Sequence, residues 1–560
     1  MKLVIVGGGA GGATAAARAR RLDEFSEIVL FERGEHISYA HCGLPYYIGG
    51  VIQNRESLLA STPERFRSRY QVDVRVRTEV RRILRDEKTV EVVELDTGKV
   101  YRERYDKLVL SPGSSPIVPP IDGVNLEGIF TLRNLADADR IVKFIADNKP
   151  ERALVVGAGF IGLELVENLK RLGMEVILVE MLNQVLPAMD PEMTRPIEAE
   201  LEQNGVNLML GEQVTAFERR DGKLKTFLKS GRTVEVDMVM LCVGVKPNTE
   251  LALSSGLEIG RSGGIKVNEY LQTSDPDIYS IGDAVETPHF VTGEPVIIPL
   301  AGPANRQARI AVDNIYGRNV KYRGTLGTTI VKVFGITVAS TGASEKVLKR
   351  LGIRYEKCYL HPYDHATYYP GASQMTIKLL FSPEDGRILG AQVVGGNGVD
   401  KRIDVIATAI LAGMTVEDLT HLELAYAPQF GTAKDAVNMA GYVASNILRN
   451  DAPTVHWEEL EQLRKSGAVI VDIRTPEEYS LDEAPGAINI PLEELRKRLS
   501  ELPKDKPVCV YCTVGLRGYI ATRILVQRGY DAKNLSGGLR TVSFLKVSED
   551  NASTLVSAVS

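Results

Sequence analysis

The chain has 560 residues, of which 44% are hydrophobic and 25% are charged, and its formal net charge is −5. This length exceeds what one hydrophobic core supports and predicts several domains. The charge balance argues against a nucleic-acid partner. No apolar run reaches the roughly 18–20 residues that cross a bilayer, which argues against a membrane partner. The apolar start is too short for the core of a signal peptide, so we expect a cytoplasmic protein.

The chain opens with a strand, a glycine-rich loop and a helix, and the same order returns near residue 153. Both loops read G-x-G-x-x-G, and a glutamate follows each after a second strand. The first glycine permits the tight turn, the second lets backbone approach a pyrophosphate, and the third lets helix and strand pack closely. The helix start offers N–H groups to phosphate, and the glutamate can accept hydrogen bonds from ribose hydroxyls. The residues assigned to these sites are Gly7, Gly9, Gly12 and Glu32 in the first, and Gly157, Gly159, Gly162 and Glu180 in the second.

Two dinucleotide sites in one chain predict electron transfer between two nucleotide cofactors. Residues 181–184, directly after Glu180, include no Arg or Lys that would hold a 2′-phosphate. NADH is therefore favoured for the second site, and NADPH stays open.

Three further segments, residues 105–113, 238–248 and 278–284, are predicted to belong to the first nucleotide domain. The last of them presents Asp283 after a strand. This carboxylate either caps the N-terminus of a helix or binds the ribityl chain of a flavin, and both roles are compatible.

The pattern changes from residue 321, where strands and helices alternate without a nucleotide motif, and residues 321–446 are predicted to form an interface domain. Residues 447–457 are predicted to be a polar linker that ends at the only Trp, and a fresh α/β pattern begins at residue 458. The five cysteines are too few and too scattered for a disulfide framework, and they predict one or two reactive thiols instead. No metal site is predicted.

The segments 4–12, 105–113, 157–162, 244–248 and 278–284, together with Glu32, resemble the pyridine nucleotide-disulfide oxidoreductase superfamily. The resemblance covers residues 1–446 and implies an α/β protein with two Rossmann-like nucleotide-binding domains and an α+β dimerisation domain, and hence a homodimer. It places an FAD-binding domain at residues 1–120 and 241–320, an NAD(P)H-binding domain at 121–240, and the dimerisation domain at 321–446.

Cys42 stands where many of these relatives carry the first cysteine of a C-x4-C redox pair, but the residue five positions later is Tyr47. A single cysteine cannot form an internal disulfide, so its partner sulfur must come from elsewhere. The pattern resembles a single-cysteine branch that includes coenzyme A disulfide reductases, NADH oxidases and NADH peroxidases. The oxidases and peroxidases carry a histidine where this chain has Ala10, so the resemblance favours the coenzyme A disulfide reductases.

The helix that follows the first glycine loop is basic, as in that group of reductases, and its cations can face the phosphates of coenzyme A. The alternative is that Arg18, Arg20 and Arg21 form a solvated helix face. His41 stands where some relatives carry Asn, which leaves its role open. By resemblance, the substrate site is lined by Thr14, Arg18, Arg21, Ser38 and His41.

Two segments of the interface domain also resemble the superfamily. Residues 426–435 include a tyrosine and a lysine, Tyr426 and Lys434, that reach the other subunit's active site in relatives. Residues 361–366 resemble a second interface loop, which would bring Tyr363 near the substrate sulfur. Taken alone, each tyrosine would more often be a packing residue.

Residues 458–560 resemble a rhodanese, which implies a C-terminal α/β domain. A strand delivers Cys512 to a six-residue loop that ends at Arg517. Backbone N–H groups in such a loop favour a thiolate or persulfide, and Arg517 adds a cation. Cys509 lies within the strand, which disfavours a thioredoxin-like C-x-x-C pair. Cys242 and Cys358 are expected to be buried and inert.

These features predict an FAD- and NADH-dependent reductase that cleaves a sulfur–sulfur bond at Cys42. The fused rhodanese favours persulfide or polysulfide reduction, with reduction of coenzyme A disulfide as a side or alternative activity. Coenzyme A is then either a substrate or a tightly held cofactor. Two alternatives stay open: an NADH oxidase or peroxidase that cycles Cys42 through sulfenic acid, and a non-catalytic flavoprotein redox sensor.

Overall fold

The structure, a computed structural model, describes residues 1–481 and 486–543. It divides the chain into two compact units. The first unit comprises residues 1–185 and 205–327, and the second comprises residues 186–204 and the chain from residue 328 onward. Part of the predicted rhodanese domain, residues 544–560, lies outside the described residues. Within the described ranges, no helix is both long and apolar enough to cross a bilayer.

The first unit contains a five-stranded parallel sheet that holds the first glycine motif. Its central strand is a run of β-branched and aliphatic residues whose middle residues are fully buried, as expected for a parallel strand covered on both faces. The helix Ala10–Leu22 follows the glycine loop and packs against the helix Ala301–Ile315. In order across the sheet the strands are Ile278–Ser280, Lys107–Leu110, Lys2–Val6, Glu27–Phe31 and Asp73–Arg75.

A second parallel sheet of the same unit holds the second glycine motif. Its strands, in order, are Ile129–Phe130, Met238–Leu241, Arg152–Val156, Glu175–Glu180 and Asn207–Leu210. The placement of residues 238–248 in the first nucleotide domain was therefore wrong for the strand Met238–Leu241, which pairs with Arg152–Val156. The apolar residues of the strand Met238–Leu241 are as buried as those of the first sheet. Composition alone therefore does not indicate to which of the two sheets this strand belongs.

Shorter elements complete the first unit. Two three-stranded antiparallel sheets comprise Thr78–Leu84, Thr89–Glu94 and Val100–Arg104, and Val214–Arg220, Lys223–Leu228 and Thr233–Val236. The remaining strands are Ser38–Tyr39, Leu59–Ser61, Ser114–Pro116, Val245–Pro247, Ile265–Lys266, Val285–Pro288 and Pro295–Val296. The remaining helices are Leu44–Ile48, Pro63–Tyr70, Leu135–Asn148, Phe160–Arg171 and Glu250–Ser254, with single turns at His41–Gly43, Arg55–Leu58 and Arg85–Glu87.

The second unit begins with a five-stranded antiparallel sheet in the predicted interface domain. The strands run in the order Thr329–Val333, Ile336–Gly342, Ile388–Gly395, Met375–Phe381 and Glu356–Leu360. The helices of this part are Pro191–Gln203, Glu345–Leu351, Val399–Leu411, Val416–Thr420 and Ala436–Leu448.

Lys378 lies fully buried on this sheet and is held by three carboxylates. Its ammonium lies 2.5–2.9 Å from oxygens of Asp190, Glu192 and Glu345. Burial works to lower the pKa of Lys378, but the three carboxylates outweigh burial and the net shift is upward. The three acids lie close enough together to bind a cation, and the lysine supplies that cation.

The second unit also contains a five-stranded parallel sheet near the C-terminal end of the described chain. Its order is Thr454–Val455, Ala532–Leu535, Val508–Tyr511, Val469–Asp472 and Ile488–Asn489. The predicted linker, residues 447–457, thus contributes an edge strand to this sheet, because Thr454–Val455 pairs with Ala532–Leu535. The helices are Trp457–Lys465, Pro476–Leu481, Leu492–Leu495, Leu516–Gln527 and Gly538–Ser543, with a single turn at Leu499–Glu501.

Candidate active site

In the first glycine loop, Gly7 and Gly12 pack closely against backbone atoms, whereas Gly9 faces open space. Gly7 has a φ of +93°, and a Cβ there would lie 2.1 Å from the carbonyl oxygen of Ser111. A Cβ on Gly12 would lie 1.8 Å from the carbonyl oxygen of Gly7, whereas a Cβ on Gly9 would have no neighbour within 4 Å. The carboxylate of Glu32 accepts hydrogen bonds of 2.7 Å from the N–H groups of Gly8 and Gly34. The acid therefore braces the loop, and its predicted contact with a ribose stays a prediction.

The second glycine loop repeats this arrangement. Gly157 has a φ of +104°, and a Cβ on Gly162 would lie 2.0 Å from the carbonyl oxygen of Gly157. Gly159 again faces open space. Glu180 accepts hydrogen bonds from the N–H groups of Ala158, at 2.8 Å, and Leu182, at 2.9 Å. The same sequence pattern therefore produces the same local geometry in both sheets.

The two loops fit a pyrophosphate each. The helices that begin at Ala10 and Phe160 have a glycine at the N-cap position, and neither has a side chain that caps its free N–H groups. These groups, beside an open glycine, are the donors that a pyrophosphate accepts. The residues of the chain therefore fit the two dinucleotides that the motifs predict.

Asp283 lies half-buried after the strand Ile278–Ser280 and accepts a hydrogen bond of 3.1 Å from the hydroxyl of Ser114. Its predicted alternative role as a helix N-cap was wrong, because the next helix, Ala301–Ile315, begins well beyond it. The carboxylate instead lies just beyond the carboxyl end of a buried strand of the first sheet. Ligands of open α/β sheets bind at this end of the strands.

Cys42 lies in the single turn His41–Gly43, directly before the helix Leu44–Ile48. The residue is exposed, but its thiol is shielded enough that burial is the largest cause of an upward shift of its pKa. The carboxylate of Glu164 raises the pKa of this thiol further. Burial raises the pKa of Glu164 itself to about 7, and its Oε1 atom accepts a hydrogen bond of 3.3 Å from Tyr46.

Tyr47, which replaces the second redox cysteine, faces a different group. Its hydroxyl donates a hydrogen bond of 3.3 Å to Asp139, and the guanidinium of Arg55 contacts both oxygens of the same carboxylate at 2.9–3.0 Å. No other cysteine of the described chain lies on the helix that Cys42 precedes. The thiol of Cys42 therefore has no resolving partner from its own segment.

Some of the predicted substrate residues form hydrogen bonds within the protein, and others are exposed. Arg18 donates to Asp313 at 2.6 and 2.9 Å, and Thr14 donates to Asn305 at 2.5 Å. Arg21 is exposed at the end of its helix, so it is the more accessible of the two cations, Arg18 and Arg21, that were assigned to the phosphates of coenzyme A. The solvated-face alternative was wrong for Arg20, which is buried and donates to five backbone carbonyls.

Ser38 and His41 flank the same turn as Cys42. Ser38 begins the short strand Ser38–Tyr39, and the ring of His41 stacks on Tyr39 with centroids 4.1 Å apart. Burial, with Arg133 as a smaller cause, lowers the pKa of His41 to about 4. His41 is therefore neutral near pH 7 and can recognise substrate by hydrogen bonding rather than by charge.

The predicted residues of the second unit are accessible. Tyr363 is 41% exposed and Tyr426 is 48% exposed, and the hydroxyl of Tyr426 lies 2.9 Å from that of Tyr368. Lys434 is exposed just before Asp435, whose side chain caps the helix Ala436–Leu448. Each of these side chains is thus available to a partner surface.

Cys512 differs from Cys42 because its own loop encloses it. The residue is 1% exposed, and its Sγ atom accepts a hydrogen bond of 3.1 Å from the N–H of Gly515, which has a φ of +95°. The guanidinium of Arg517 binds Glu478 through two hydrogen bonds of 2.6 and 2.7 Å. Arg517 lowers the pKa of Glu478 to about 2, and Glu478 first, then Cys512, raise the pKa of Arg517.

The thiols of the other three cysteines are less acidic than an ordinary cysteine thiol. Burial raises the pKa of Cys242, Cys358 and Cys509 to about 12 in each case. Cys509 lies within the strand Val508–Tyr511, as predicted, so it does not form a redox pair with Cys512.

Two functional neighbours, Glu164 and Glu478, were missed in the sequence. Glu164 stands two residues after the third glycine of the second motif, but nothing local indicates that it affects a thiol 122 positions earlier. Glu478 belongs to the segment that resembles a rhodanese, and its pairing with Arg517 follows only from the tertiary fold.

Three ranges of the chain match known protein families. Residues 1–308 match the pyridine nucleotide-disulphide oxidoreductase family, residues 328–437 match the dimerisation domain of that family, and residues 456–543 match the rhodanese-like domain. A coenzyme A disulfide reductase of Staphylococcus aureus is 40% identical over 444 residues, which are 79% of this chain and 99% of that protein.

Two solved structures extend the similarity through the C-terminal domain. The crystal structure of reduced Bacillus anthracis CoADR-RHD has a TM-score of 0.95 and 50% identity, covering 97% of this chain and 98% of that chain. The structure of a NAD-dependent persulfide reductase from A. fulgidus has a TM-score of 0.89 and 40% identity, covering 97% of this chain and all of that chain.

Proposed function

The chain belongs to the pyridine nucleotide-disulphide oxidoreductase family, and from this premise we propose that it is a reductase of persulfide, polysulfide and coenzyme A disulfide that acts through Cys42. The observation that carries the proposal is the Cys42 thiol with Tyr47 in place of a resolving cysteine. A thiol without an internal partner must exchange with a sulfur that arrives as substrate.

The chain's own residues fit the two cofactors of the family. The loop of Gly7, Gly9 and Gly12, with Asp283, would hold FAD, and the loop that ends at Gly162 would hold NADH. The bound cofactors would supply hydride transfer from NADH and the electron pair that reduces the sulfur at Cys42. The carboxylate of Glu180, which lies against its glycine loop, would repel a 2′-phosphate, and this favours NADH over NADPH.

Cys42 supplies the sulfur chemistry. Its thiolate attacks coenzyme A disulfide, which releases one coenzyme A thiolate and leaves a mixed disulfide on Cys42. Two electrons and one proton then return the Cys42 thiolate and release the second coenzyme A as thiol. With coenzyme A persulfide, attack of the thiolate on the outer sulfur releases coenzyme A thiolate and leaves a persulfide on Cys42. The same electron pair then cleaves the sulfur–sulfur bond of this persulfide, which releases hydrosulfide and returns the Cys42 thiolate. The net change in either case consumes one NADH.

Burial and Glu164 both raise the pKa of the Cys42 thiol. Formation of the thiolate must therefore be favoured by groups that bind beside this thiol. Tyr363 and Tyr426 are exposed phenols that can donate a proton to the leaving sulfur. The match to the family's dimerisation domain supports a homodimer, in which these tyrosines and Lys434 would serve the other subunit's Cys42. Arg18 and Arg21 would bind the phosphates of coenzyme A, with Thr14, Ser38 and His41 beside them.

The rhodanese-like domain favours persulfide or polysulfide as the physiological substrate. Cys512 is enclosed by its loop and lies beside a guanidinium, which suits a persulfide that carries negative charge. Because the two cysteines are on one chain, the domain raises the effective concentration of the sulfur donor. All five cysteines are free, which suits a reducing compartment such as the cytoplasm.

The test is anaerobic NADH oxidation by the wild type, Cys42→Ser and Cys512→Ser, with coenzyme A persulfide, polysulfide and coenzyme A disulfide offered separately. We expect Cys42→Ser to lower every rate by at least about 1000-fold, because it removes the nucleophile. We expect Cys512→Ser to lower the rate only with donors that load the rhodanese-like domain. Full activity in Cys42→Ser would overturn the proposal. Rapid NADH consumption with oxygen or peroxide alone would establish an oxidase or peroxidase instead, and negligible turnover with every substrate would favour a redox sensor.

A further inference from the structure

Residues 536–541 of the rhodanese-like domain line one side of the Cys512 loop. The N–H of Leu539 donates to the carbonyl of Cys512 at 3.0 Å, and the N–H of Arg540 donates to that of Thr513 at 2.9 Å. Gly538 has a φ of +61°, and a Cβ there would lie 2.2 Å from the oxygen of Cys512. This segment is therefore fixed directly against the loop of the sulfur-carrying cysteine.

The same segment contacts the dimerisation domain on its other side. The hydroxyl of Thr541 lies 3.0 Å from Nε2 of His361, and the guanidinium of Arg540 donates to Oε1 of Gln374. Gln374 in turn donates to the carbonyl of His361 at 2.7 Å. A Cβ on Gly537 would lie 2.8 Å from Cβ of Tyr359, so no larger residue fits between the two domains at this point.

Gln374 is the cross-strand partner of Tyr363. The two residues form an antiparallel bridge, and backbone hydrogen bonds of 2.9 Å flank it on both sides. Side chains of directly opposed residues lie on the same face of such a pair. The guanidinium that binds Gln374 therefore approaches the Tyr363 phenol, and burial lowers the pKa of Arg540 while Tyr363 acts in the opposite direction.

We propose that Arg540 is a positioning residue for Tyr363, so that the rhodanese-like domain supports the reaction at Cys42 even when Cys512 carries no sulfur. The inference rests on the proposed function, in which Tyr363 protonates the leaving sulfur. Tyr363 is 41% exposed, and its loop is fixed on the inner side by Gln374, which Arg540 holds from the rhodanese-like domain. Loss of that support lets the phenol move, and misplacement of a proton donor by about 1 Å lowers the rate of the chemical step.

The test measures NADH oxidation with coenzyme A disulfide, a substrate that does not require Cys512. We expect Arg540→Ala to lower kcat about tenfold with the KM for NADH unchanged, because only the protonation geometry is disturbed. Arg540→Lys keeps a cation and one donor toward Gln374, and we expect it to recover part of the loss. Glu458→Gln is the matched control, because Glu458 also crosses to the dimerisation domain, at Lys357, but away from the Tyr363 loop.

A double variant tests the route through Gln374. If Arg540 acts by holding Gln374, then Gln374→Ala with Arg540→Ala should lose no more than the larger single loss. Losses that multiply, an unchanged kcat in Arg540→Ala, or an equal loss in Glu458→Gln would overturn the inference. Flavin absorbance and the melting temperature identify any variant that fails to fold, in which case Arg540→Lys and Gln374→Ala carry the test.

Cys42→Ser in the same assay separates this inference from the proposed function. Activity that survives Cys42→Ser would remove the proposed function itself, whatever Arg540 does. Coenzyme A disulfide carries no sulfane sulfur, so sulfur delivery by Cys512 cannot be the reason for a loss that Arg540→Ala shows with this substrate.

Discussion

The two cysteines that we propose to be reactive, Cys42 and Cys512, lie in opposite environments. Cys42 is an exposed residue whose thiol is made less acidic by partial burial and by Glu164. Cys512 is enclosed, with the N–H of Gly515 directed at its sulfur and with the guanidinium of Arg517, which binds Glu478, close enough that the sulfur adds to Glu478 in raising the pKa of Arg517. The groups that set the acidity of Cys42 lie outside its own segment, as Glu164 does. The N–H that binds the sulfur of Cys512 belongs to its own loop.

This difference matches two kinds of sulfur chemistry. A thiol that must exchange with a bulky substrate and then be reduced needs an open approach, and its acidity can be set by what binds beside it. A thiol that must hold a sulfur between donor and acceptor benefits from enclosure, N–H donors and a nearby cation. We therefore expect substitutions to act on one site without the other, and the following predictions test that separation.

The largest effect is expected for sulfur transfer to cyanide from a sulfane-sulfur donor such as thiosulfate. Cys512→Ser should lower this activity by at least about 1000-fold, because the acceptor thiol is removed. Cys42→Ser should leave it within about twofold of the wild type. A comparable loss in both variants would show that the two sites act as one.

The second effect concerns stability. Lys378→Met leaves three buried carboxylates without their cation, and we expect a loss of about 3–5 kcal/mol. Lys349→Met is the control, because Lys349 also contacts Glu345 but is 61% exposed, and such pairs contribute about 1 kcal/mol or less. The only tryptophan, Trp457, begins a helix of the C-terminal domain, so its fluorescence during urea unfolding reports on the second unit. Equal losses of stability in the two variants would contradict the explanation that Lys378 compensates three buried carboxylates.

Arg517→Ala should act on the Cys512 site alone. We expect sulfur transfer to fall by about 100-fold, because a preorganised cation beside the reacting sulfur is removed. Reduction of coenzyme A disulfide by NADH should not change. Lys at this position keeps the charge but loses the paired hydrogen bonds to Glu478, so we expect Arg517→Lys to lie between the wild type and the alanine variant.

The smallest effect is expected at Glu164. This carboxyl ionises near pH 7 and its negative charge raises the pKa of the Cys42 thiol. Glu164→Gln removes that charge, so at pH 8 the thiolate fraction should rise and alkylation of Cys42 by iodoacetamide should accelerate about two- to fivefold. At pH 6 Glu164 is already mostly protonated, so the two proteins should react alike. A rate difference of the same size at both pH values would contradict this explanation. Cys512→Ser serves as the background for both measurements.

Much of this organisation follows from local sequence signals. The matches to the oxidoreductase family, its dimerisation domain and the rhodanese-like domain confirm the predicted resemblance and the predicted fold class. The glycine motifs were predictable because each glycine meets a local steric demand, such as the contact of Gly12 with Gly7. Cys512 was predictable because strand, loop and helix follow one another within a few residues.

Other features depend on residues far apart in the chain. Lys378 meets Asp190 across 188 positions, and Arg18 meets Asp313 across 295. No periodicity or spacing connects such partners, so Arg18 was predicted either to face phosphate or to lie on a solvated helix face, and its pairing with Asp313 was not predicted. Asp283 was assigned a possible helix cap because the strand end is visible in the sequence, whereas the absence of a following helix is not. The assignments of substrate and catalytic residues stay predictions until variants are measured.

The adjacent glycines at 537 and 538 also constrain how this protein can change over generations. Both have positive φ, and each is pressed against a different neighbour, Gly537 against Tyr359 and Gly538 against the carbonyl of Cys512. A rhodanese-like domain from another source would pack against Tyr359 in the same way only if it carried a residue without a side chain at the position of Gly537. Exchange of this domain between related proteins is therefore expected to require glycine at that position.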